Sequence, residues 1–293
     1  MEETKEAISS HGAPSAVIVV SSHVVRGSVG NRASVFALET LRRPVWAVPT
    51  VILPWHPGHG RASRIVPPQQ EFAALMHDLE EAPWLNEVGA VLSGYLGHAE
   101  QAEAIVSLVG AVKARNPQAL YVCDPIMGDE GGLYVPETTA SAIRDRLVPL
   151  ADLVTPNRFE FGWLTGRLLE TTEDVVLAAS RAGPSTMLIT SVPSLLPGSI
   201  ANLLLSPEGV RVAEHPAVAR PAKGPGDLMT ALMTGWLLRG VSPADALQRS
   251  TAAVFEVLAR AAARGSDELM LETDAAALSA PSAHVKMRSM PRP

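Results

Sequence analysis

Residues 223–227, with the sequence Lys-Gly-Pro-Gly-Asp, have the composition of a site that binds an anion and moves a proton. Gly224 and Gly226 let the backbone approach a ligand closely, and the apolar run at residues 228–238 predicts a helix directly behind them. The N–H groups and positive dipole end of such a helix bind anions. Asp227 beside that site can take a proton from an alcohol while a phosphoryl group is transferred to it. An aspartate is also favoured in the first turn of any helix, so a purely structural interpretation stays open.

The composition is that of a globular protein with an ordinary core, since 47% of the 293 residues are hydrophobic and 18% are charged. The formal net charge of −6 argues against a nucleic-acid partner, because proteins that bind the phosphate backbone carry a basic face. The single cysteine, Cys123, excludes an internal disulfide bond and suits a reducing compartment. The acidic N-terminus does not resemble a signal peptide, and the uncharged stretch at residues 182–207 is broken by proline and glycine. We therefore expect a cytoplasmic protein with no membrane partner.

Short apolar runs alternate with helical patterns along most of the chain. Strands are predicted at residues 16–20, 45–53, 90–92, 120–123 and 153–154, and helical patterns follow them. This alternation predicts one three-layer α/β domain, with a mostly parallel central sheet flanked by helices. An antiparallel portion is predicted at residues 187–190, 200–205 and 209–214, before two long closing helices at 225–239 and 242–264. We expect this single domain to span residues 15–278, with flexible ends at residues 1–14 and 279–293.

Ligands of open α/β sheets bind beyond the carboxyl ends of the strands, so the residues that follow each predicted strand are the candidates. Residues 21–31 hold three serines, a histidine and two glycines; they indicate either a ligand loop or an ordinary loop in which Asn31 caps the next helix. Residues 53–61 hold His56 and His59 among turn residues. They are typical of a lid over a site, and equally of a solvated loop. No third ligand accompanies the two histidines, so we expect no metal there.

Acidic residues follow two later strands. Asp124 precedes a glycine-rich loop with further acids, which indicates either a magnesium–nucleotide site or a tight turn with solvated acids. Residues 155–160 begin a helix for which Thr155 or Asn157 can be the N-cap and Glu160 can complete a capping box. The alternative interpretation places Glu160 near the same Mg²⁺ as Asp124, often through water.

The order of these motifs is more specific than any one of them. The chain contains Ser-His-Val-Val-x-Gly-x-x-Gly-Asn, His-x-x-x-Gly, Leu-Ser-Gly-Tyr-Leu-Gly, Cys-Asp-Pro-Ile-Met-Gly, Thr-Pro-Asn-x-x-Glu and Gly-x-Gly-Asp in succession. Together they resemble the pyridoxal kinases of the ribokinase-like superfamily, over residues 16–264. The resemblance implies a ribokinase-like fold and ATP-dependent phosphorylation of the 5′-hydroxymethyl group of pyridoxal and related B6 vitamers. It also implies Mg²⁺ and a monovalent cation such as K⁺ as cofactors, and a homodimer.

The resemblance implies a role for each matched residue. Asp227 is the base, and the helix start with Gly224 and Gly226 stabilises the transferred phosphoryl group. The implied substrate contacts are Ser22, Pro57, Gly58 and Asp227. The implied Mg²⁺ and ATP-phosphate contacts are Asp124 and Glu160, with Thr155 beside them. The other implied nucleotide contacts are Thr190, His215, Pro216, Ala217 and Val218.

Four positions depart from the family pattern. Arg26 and His59 stand where tyrosines are usual, around the implied substrate pocket, and Thr190 stands where some relatives carry lysine. Pro225 has no N–H group and cannot donate to the phosphoryl oxygens. Losing one such donor costs about 2.7–4 kcal/mol where that donor matters fully, so we expect a working but slow enzyme.

Two alternatives stay open. A hydroxymethylpyrimidine kinase also phosphorylates a hydroxymethyl group on a nitrogen heteroaromatic ring, although residues 22–25 and 93–97 favour pyridoxal. A nucleotide- or vitamin-binding sensor that has lost catalysis is favoured by Pro225 and the altered loop. The retained Asp227, Asp124 and Glu160 oppose the sensor, because a binding protein needs no base.

Overall fold

The computed structural model describes residues 15–292. The strands are β1 (Ala16–Val24), β2 (Val45–Leu53), β3 (Val88–Ser93), β4 (Leu120–Cys123), β5 (Gly128–Asp129), β6 (Gly132–Leu133), β7 (Leu153–Val154), β8 (Met187–Pro193), β9 (Ser199–Ser206), β10 (Gly209–Pro216) and β11 (Lys286–Met290). The α-helices are α1 (Asn31–Thr40), α2 (Gln69–Glu80), α3 (Gln101–Arg115), α4 (Glu137–Ala142), α5 (Arg158–Thr165), α6 (Thr172–Ala179), α7 (Pro225–Leu237), α8 (Pro243–Arg264) and α9 (Ala275–Ser279).

One large sheet organises the molecule, with strand order β11-β10-β9-β8-β7-β4-β3-β1-β2. Neighbouring strands from β2 to β8 pair in parallel, whereas β8, β9, β10 and β11 pair antiparallel. The strands β5 and β6 form a separate small hairpin directly after β4. The predicted three-layer α/β fold, its mostly parallel sheet and its antiparallel portion are confirmed.

The first strand shows why the sheet is covered on both faces. Val17 and Val19 pack into one core with residues of α1, α7 and α8, whereas Ile18 and Val20 pack into a second core with residues of α2 and α3. Successive side chains of a strand point to opposite faces, so an uninterrupted apolar run requires helices on both sides. A third core lies between α5, α6 and strands β8 to β10.

Helix α7 is buried along nearly its whole length. Every residue from Leu228 to Trp236 is buried, because the helix packs between the sheet, α1 and α8. A helix held on several sides has little freedom to shift, so its first turn is fixed at the carboxyl edge of the parallel strands.

The C-terminal segment corrects the sequence prediction. The tail was expected to be flexible from Ser279, but β11 pairs with β10 over five residues, and Arg288 forms an ion pair with the buried Glu214. Glu256 accepts hydrogen bonds from the backbone N–H groups of Ser282 and Ala283, at 2.6 and 2.9 Å. These long-range partners order a segment whose own sequence has no strand pattern. The predicted flexibility of residues 1–14 lies outside the described residues.

None of the helices within residues 15–292 combines the length and the apolar character needed to cross a bilayer.

Candidate active site

A cavity of about 340 Å³ opens at the carboxyl edge of the parallel strands. Its walls come from the segments that follow β4 and β7, from a bulge within β8, from the end of β10, and from the first turn of α7. The topology therefore brings residues that are far apart in the sequence around one space, where the rule for open α/β sheets places a ligand.

The first turn of α7 forms one wall. Gly224 is the N-cap with φ of 93°, and a Cβ atom there would lie 2.2 Å from the Ser28 carbonyl oxygen, so only glycine fits. Pro225 is the first helical residue, followed by Gly226 and Asp227, and all four line the cavity. The Asp227 carboxylate accepts hydrogen bonds from its own N–H and from the N–H of Gly30, but burial outweighs them and raises its pKa to about 6.

Asp124 faces Asp227 from the end of β4 and is tied to two other elements. The hydroxyl of the buried Thr230, on α7, donates to Asp124 Oδ2 at 2.9 Å, and Thr155 Oγ1 lies 2.8 Å from Thr230 Oγ1. Burial raises the pKa of Asp124 well above its ordinary value, and the charges of Glu160 and Asp227 raise it further. A buried carboxyl group that lies near two other carboxylates ionises readily only when a cation compensates its negative charge.

Glu160 completes the predicted capping box of α5. Asn157 is the N-cap, its side chain accepts from the Glu160 N–H at 2.9 Å, and Glu160 Oε2 accepts from the Asn157 N–H at 2.8 Å. Glu160 Oε1 also accepts from the backbone N–H groups of Met127 and Gly128, at 3.0 and 3.4 Å. These hydrogen bonds lower the pKa of Glu160, but the effect of burial is larger and raises it to about 7. The structural interpretation of Glu160 is confirmed, and the residue also lines the cavity.

No cluster of three or more histidine, cysteine, aspartate or glutamate side chains within residues 15–292 has the arrangement of a metal site. Asp124 and Thr155 offer oxygen atoms to the cavity, which suit a hard cation that keeps most of its water. The oxygens of Glu160 already accept three backbone bonds, so Glu160 fits a cation better through its charge or a water molecule than as a direct ligand.

The nucleotide contacts implied by the family resemblance fall mostly on the same cavity. A bulge in β8 between Ile189 and Val192 turns Thr190 and Ser191 toward it, and Ser191 has a φ of 57°. Of residues 215–218, His215, Ala217 and Val218 line the cavity, whereas Pro216 is exposed and does not.

The implied substrate contacts Ser22, Pro57 and Gly58 lie outside the cavity wall. Ser22 is buried behind Gly30, where a Cβ atom on Gly30 would lie 2.4 Å from Ser22 Oγ. Pro57 and Gly58 belong to a one-turn 3₁₀ helix, and a Cβ atom on Gly58 would lie 3.3 Å from Lys223 Cε. The loop therefore lies against the segment that carries the first turn of α7.

Asn31 is not the N-cap of α1, as the sequence suggested. Gly30 is the N-cap, with φ of 57°, and Asn31 is the first helical residue. The buried amide of Asn31 instead donates to the carbonyl oxygens of Ser21 and Val48, at 3.1 Å each. It fastens the start of α1 to β1 and β2.

Further residues to which the family resemblance assigned no role also line the cavity. His56 lines the cavity with its Nδ1 accepting from the Gly58 N–H at 3.0 Å, and burial followed by the charge of Lys223 lowers its pKa. Tyr134 and Asn202 line the cavity as well. The composition of residues 53–61 indicated His56 as a candidate. Tyr134 follows β6 and Asn202 lies within β9, and neither strand shows a polar motif in the sequence.

Comparison with known proteins gives consistent matches. A family model described as phosphomethylpyrimidine kinase matches residues 70–271. The pyridoxal kinase PdxY of Corynebacterium diphtheriae is 34% identical over 261 residues, which cover 87% of this chain and 92% of the relative. The corresponding protein of Leifsonia xyli is 38% identical over 263 residues, with 87% and 92% covered.

Solved structures share the fold. The pyridoxal kinase of Leishmania donovani in complex with ADP and pyridoxamine has a TM-score of 0.87 at 26% identity, covering 94% of this chain and all of that one. The pyridoxal kinase of Entamoeba histolytica has a TM-score of 0.87 at 22% identity, covering 94% and 99%. At that lower identity the likeness concerns the fold alone.

Proposed function

Since this chain belongs to the pyridoxal kinase family, we propose that it transfers the γ-phosphoryl group of ATP to the 5′-hydroxymethyl group of pyridoxal, forming pyridoxal 5′-phosphate. The observation that carries the proposal is the position of Asp227. Its carboxylate lies in the cavity wall at the first turn of α7, between Gly226 and the buried core of the helix. With a pKa of about 6 it is mostly ionised at neutral pH and close enough to neutrality to accept a proton.

The transfer forms one bond to the γ-phosphorus and breaks another. The hydroxymethyl oxygen forms a bond to the γ-phosphorus, the bond between that phosphorus and the bridging oxygen breaks, and ADP leaves with the electron pair. Asp227 takes the proton of the hydroxyl group. The carboxylate is held for this task by the N–H of Gly30 and by its own N–H.

The start of α7 supplies the anion site for the transferred group. The Gly226 N–H lies at the positive end of the helix dipole, and Gly224 in its left-handed conformation brings the preceding backbone to the same wall. Pro225 contributes no N–H, so one donor of this turn is missing. Lys223 adjoins the turn and adds positive charge near the loop that carries Pro57 and Gly58.

The opposite wall suits the ATP phosphates and their cation. Asp124 and Thr155 would hold Mg²⁺, and the bound ion would compensate the negative charge of the phosphates. Glu160 would act on the ion through its charge or through a water molecule. Thr190 and the segment His215–Val218, apart from the exposed Pro216, would border the nucleotide. A monovalent cation such as K⁺ is part of the same proposal and suits the oxygen-rich surroundings of Thr155.

The pyridoxal ring is proposed to lie between α7 and the loop of residues 56–60. His56 faces the cavity there, so it joins Ser22, Pro57 and Gly58 as a substrate-side residue. Because Pro57 and Gly58 stand beside the wall, their role requires the loop to close further over the substrate. Ser22, buried in β1 behind Gly30, would act from the floor of the site.

A coupled assay of ADP formation with Mg²⁺ tests the function, using pyridoxal, pyridoxine, pyridoxamine and hydroxymethylpyrimidine as acceptors. Highest kcat/KM with pyridoxal is expected. The Asp227→Asn variant is expected to remove turnover while it keeps binding of ADP by calorimetry. Unchanged turnover in this variant would contradict the assignment of the base.

One alternative has its own support. The matching family model is described as phosphomethylpyrimidine kinase, and a pyrimidine with a hydroxymethyl group presents the same acceptor chemistry. Turnover only with hydroxymethylpyrimidine in the assay would establish this activity. Nucleotide binding without turnover on any acceptor would instead establish a sensor, for which the missing N–H of Pro225 is the supporting observation.

A cytoplasmic location and a homodimer belong to the proposal too. The buried Cys123 is consistent with a reducing compartment. Light scattering coupled to size-exclusion chromatography distinguishes a dimer from a monomer of 31.0 kDa.

A further inference from the structure

Three arginines gather at the C-terminal end of α7, where Trp236 lies. The guanidinium carbon of Arg239 lies 5.0 Å from the centroid of the Trp236 ring, and that of Arg249, on α8, lies 4.8 Å from it. Arg43, just after α1, lies near Arg239, because burial followed by the charge of Arg239 lowers the pKa of Arg43. Positive groups held this close repel one another, and an anion between them turns that repulsion into attraction.

Two buried donors at this place lack an acceptor. Trp236 is 3% exposed, and its Nε1 has no hydrogen-bond partner among residues 15–292. The buried Nε of Arg43 has none within the same residues. The two elements touch there, since a Cβ atom on Gly235 would lie 2.6 Å from Leu41 Cδ1. Both nitrogens only donate, so a ligand that pairs with them must supply acceptor atoms.

The protein's own carboxylates do not neutralise these arginines. None of the ion pairs found within the described part of the chain includes Arg43, Arg239 or Arg249. The acids nearest to Arg43 and Arg249 in sequence are Glu39 and Asp245, each four residues earlier. Asp245 Oδ2 instead accepts from the N-cap hydroxyl of α8 at 2.8 Å. The arginine charge therefore stays available to an anion from solution.

Two structural roles account for part of this arrangement. A cation near the C-terminal end of a helix balances the helix dipole, which applies to Arg43 and Arg239. Arg249 lies in the second turn of α8, away from such an end, and its position over Trp236 is a cation–π contact. Neither role supplies an acceptor for Trp236 Nε1 or for Arg43 Nε. A bound anion explains the three guanidinium groups and the two unpaired donors together.

We propose that this end of the molecule binds a phosphate group between the guanidinium groups of Arg43, Arg239 and Arg249, with Trp236 Nε1 as a further donor. Phosphate offers acceptor oxygens in several directions, and guanidinium groups match its geometry. Arg239 and Arg249 are exposed, so the anion can enter from solvent. The site is separate from the proposed active site, because α7 begins beside Asp227 and its 13 residues span about 20 Å.

The phosphate can be the free ion or part of a small ester. Arg249 also lines a second cavity, of about 410 Å³, between α8 and the segment after α9. This space can take the organic part of an ester. The Asp245 carboxylate lines the same cavity, so that organic part should carry no further negative charge.

Equilibrium dialysis with radiolabelled inorganic phosphate at constant ionic strength tests the proposal. The double variant Arg239→Gln with Arg249→Gln should bind one phosphate fewer per chain than the wild type. Arg115→Gln with Arg181→Gln is the matched control, since both arginines are exposed and form no ion pair within residues 15–292. This control should bind as many phosphates as the wild type. The active-site residues are the same in all three proteins, so the difference does not depend on the proposed kinase activity.

Trp236→Phe tests the neutral donor. It keeps an aromatic ring beneath the guanidinium groups but removes the N–H, and it should weaken phosphate binding at this site about tenfold. The wild-type tryptophan fluorescence should change as phosphate binds, and this change should be absent in Trp236→Phe. Circular dichroism shows that each variant is folded.

Equal numbers of bound phosphate in the Arg239→Gln, Arg249→Gln protein and in the wild type would overturn the proposal. Displacement of the phosphate by chloride at the same ionic strength would overturn it too, because it would mark a diffuse attraction of counter-ions. Competition by glycerol 3-phosphate, whose organic part is neutral, distinguishes the two sources. Tighter binding than that of inorganic phosphate would assign the site to an ester, and equal or weaker binding would assign it to the free ion; both results support a phosphate site.

Discussion

His59 Nε2 lies 2.8 Å from Glu268 Oε1 and joins the loop after β2 to the loop after α8. Glu268 is 7% exposed and also accepts from the Ser28 N–H at 3.4 Å and from Arg26 Nη1 at 3.5 Å. A Cβ atom on Gly27 would lie 2.5 Å from Glu268 Oε1, so the glycine makes room for the carboxylate. Arg26 and His59 are the two positions at which the family resemblance leads us to expect tyrosines. Both contact the Glu268 carboxylate, so the two side chains belong to one interaction.

The Glu268→Gln variant should loosen the loop of residues 56–60, because the amide replaces a charged acceptor shared by His59 and Arg26. We expect the KM for pyridoxal to rise about 3- to 10-fold, with kcat changed by less than about threefold. Trypsin should also cut faster at Arg61 and Arg64, which are exposed and directly follow this loop.

The matched control is Asp267→Asn, because Asp267 also pairs with Arg26 and His59 but its side chain is 59% exposed. Exposed ion pairs contribute little, so this variant should leave both KM and the cleavage rate near those of the wild type. Equal cleavage rates in Glu268→Gln and wild-type protein would show that the carboxylate does not hold the loop.

Local sequence motifs predicted the parts of the site that are local in structure. The residues Gly-Pro-Gly-Asp encode the start of α7, and the capping box of α5 follows from the spacing of Asn157 and Glu160. Thr230 had no such signal because it lies within an apolar helical run. Helix geometry places it one turn after Asp227, and only the fold shows that its hydroxyl meets Asp124.

The contacts of Glu268 and of β11 could not be predicted from sequence for a related reason. Glu268 meets partners more than 200 residues away, and charged residues in loops carry no periodic pattern. The strand β11 lacks apolar alternation, and pairing with β10 and with Glu214 orders it. Tertiary context decides such segments.

The Thr230→Val variant tests the link between Asp124 and α7. Valine keeps the shape of threonine but removes the hydroxyl that donates to Asp124 and lies 2.8 Å from Thr155 Oγ1. We expect the free energy of unfolding to fall by about 1–3 kcal/mol, because buried polar groups lose a partner. Urea denaturation measures the change. The neighbouring Thr234→Val is the control, since its hydroxyl donates only to the Thr230 carbonyl oxygen within the helix and should matter less.

The Asp227→Asn variant should be more stable than the wild type at neutral pH in the absence of ligand. Burial raises the Asp227 pKa from 3.8 to about 6, so between these values the unfolded chain loses a proton that the folded protein keeps. The contribution of this group to stability is therefore present below pH 3.8 and is lost as the pH rises through 6. Asparagine removes this dependence and should raise the free energy of unfolding at pH 7.5 by about 1–3 kcal/mol.

Thermal unfolding of both proteins from pH 4.5 to 8 measures this difference. The advantage of Asp227→Asn should shrink toward pH 4.5 and level off above pH 7. A variant that is less stable than the wild type at pH 7.5 would mean that the bonds from the Gly30 and Asp227 N–H groups outweigh burial of the charge.

Turnover should also fall in acid, because a base acts only when it is ionised. We expect log kcat/KM to decline with a slope of about one below pH 6, the pKa of Asp227. Glu160, with a pKa of about 7, lines the same cavity and can add an earlier decline. The Glu160→Gln variant separates the two groups, since only the decline at pH 6 should remain in it. Circular dichroism at each pH excludes acid unfolding as the cause.

Replacement of Pro225 restores a donor that the anion site lacks. Pro225→Ala supplies an N–H at the first position of α7, in a residue that lines the cavity, and should raise kcat by about 3- to 100-fold when phosphoryl transfer limits the rate. Pro243 occupies the same first position in α8 at its own helix start, so Pro243→Ala is the matched control. Both variants should lose about 0.4–1 kcal/mol of stability, because alanine leaves the unfolded chain more freedom. Equal kcat in the two variants would show that the amide at position 225 does not face the transferred group, and the slow step would then lie elsewhere, such as in closure of the loop at His59.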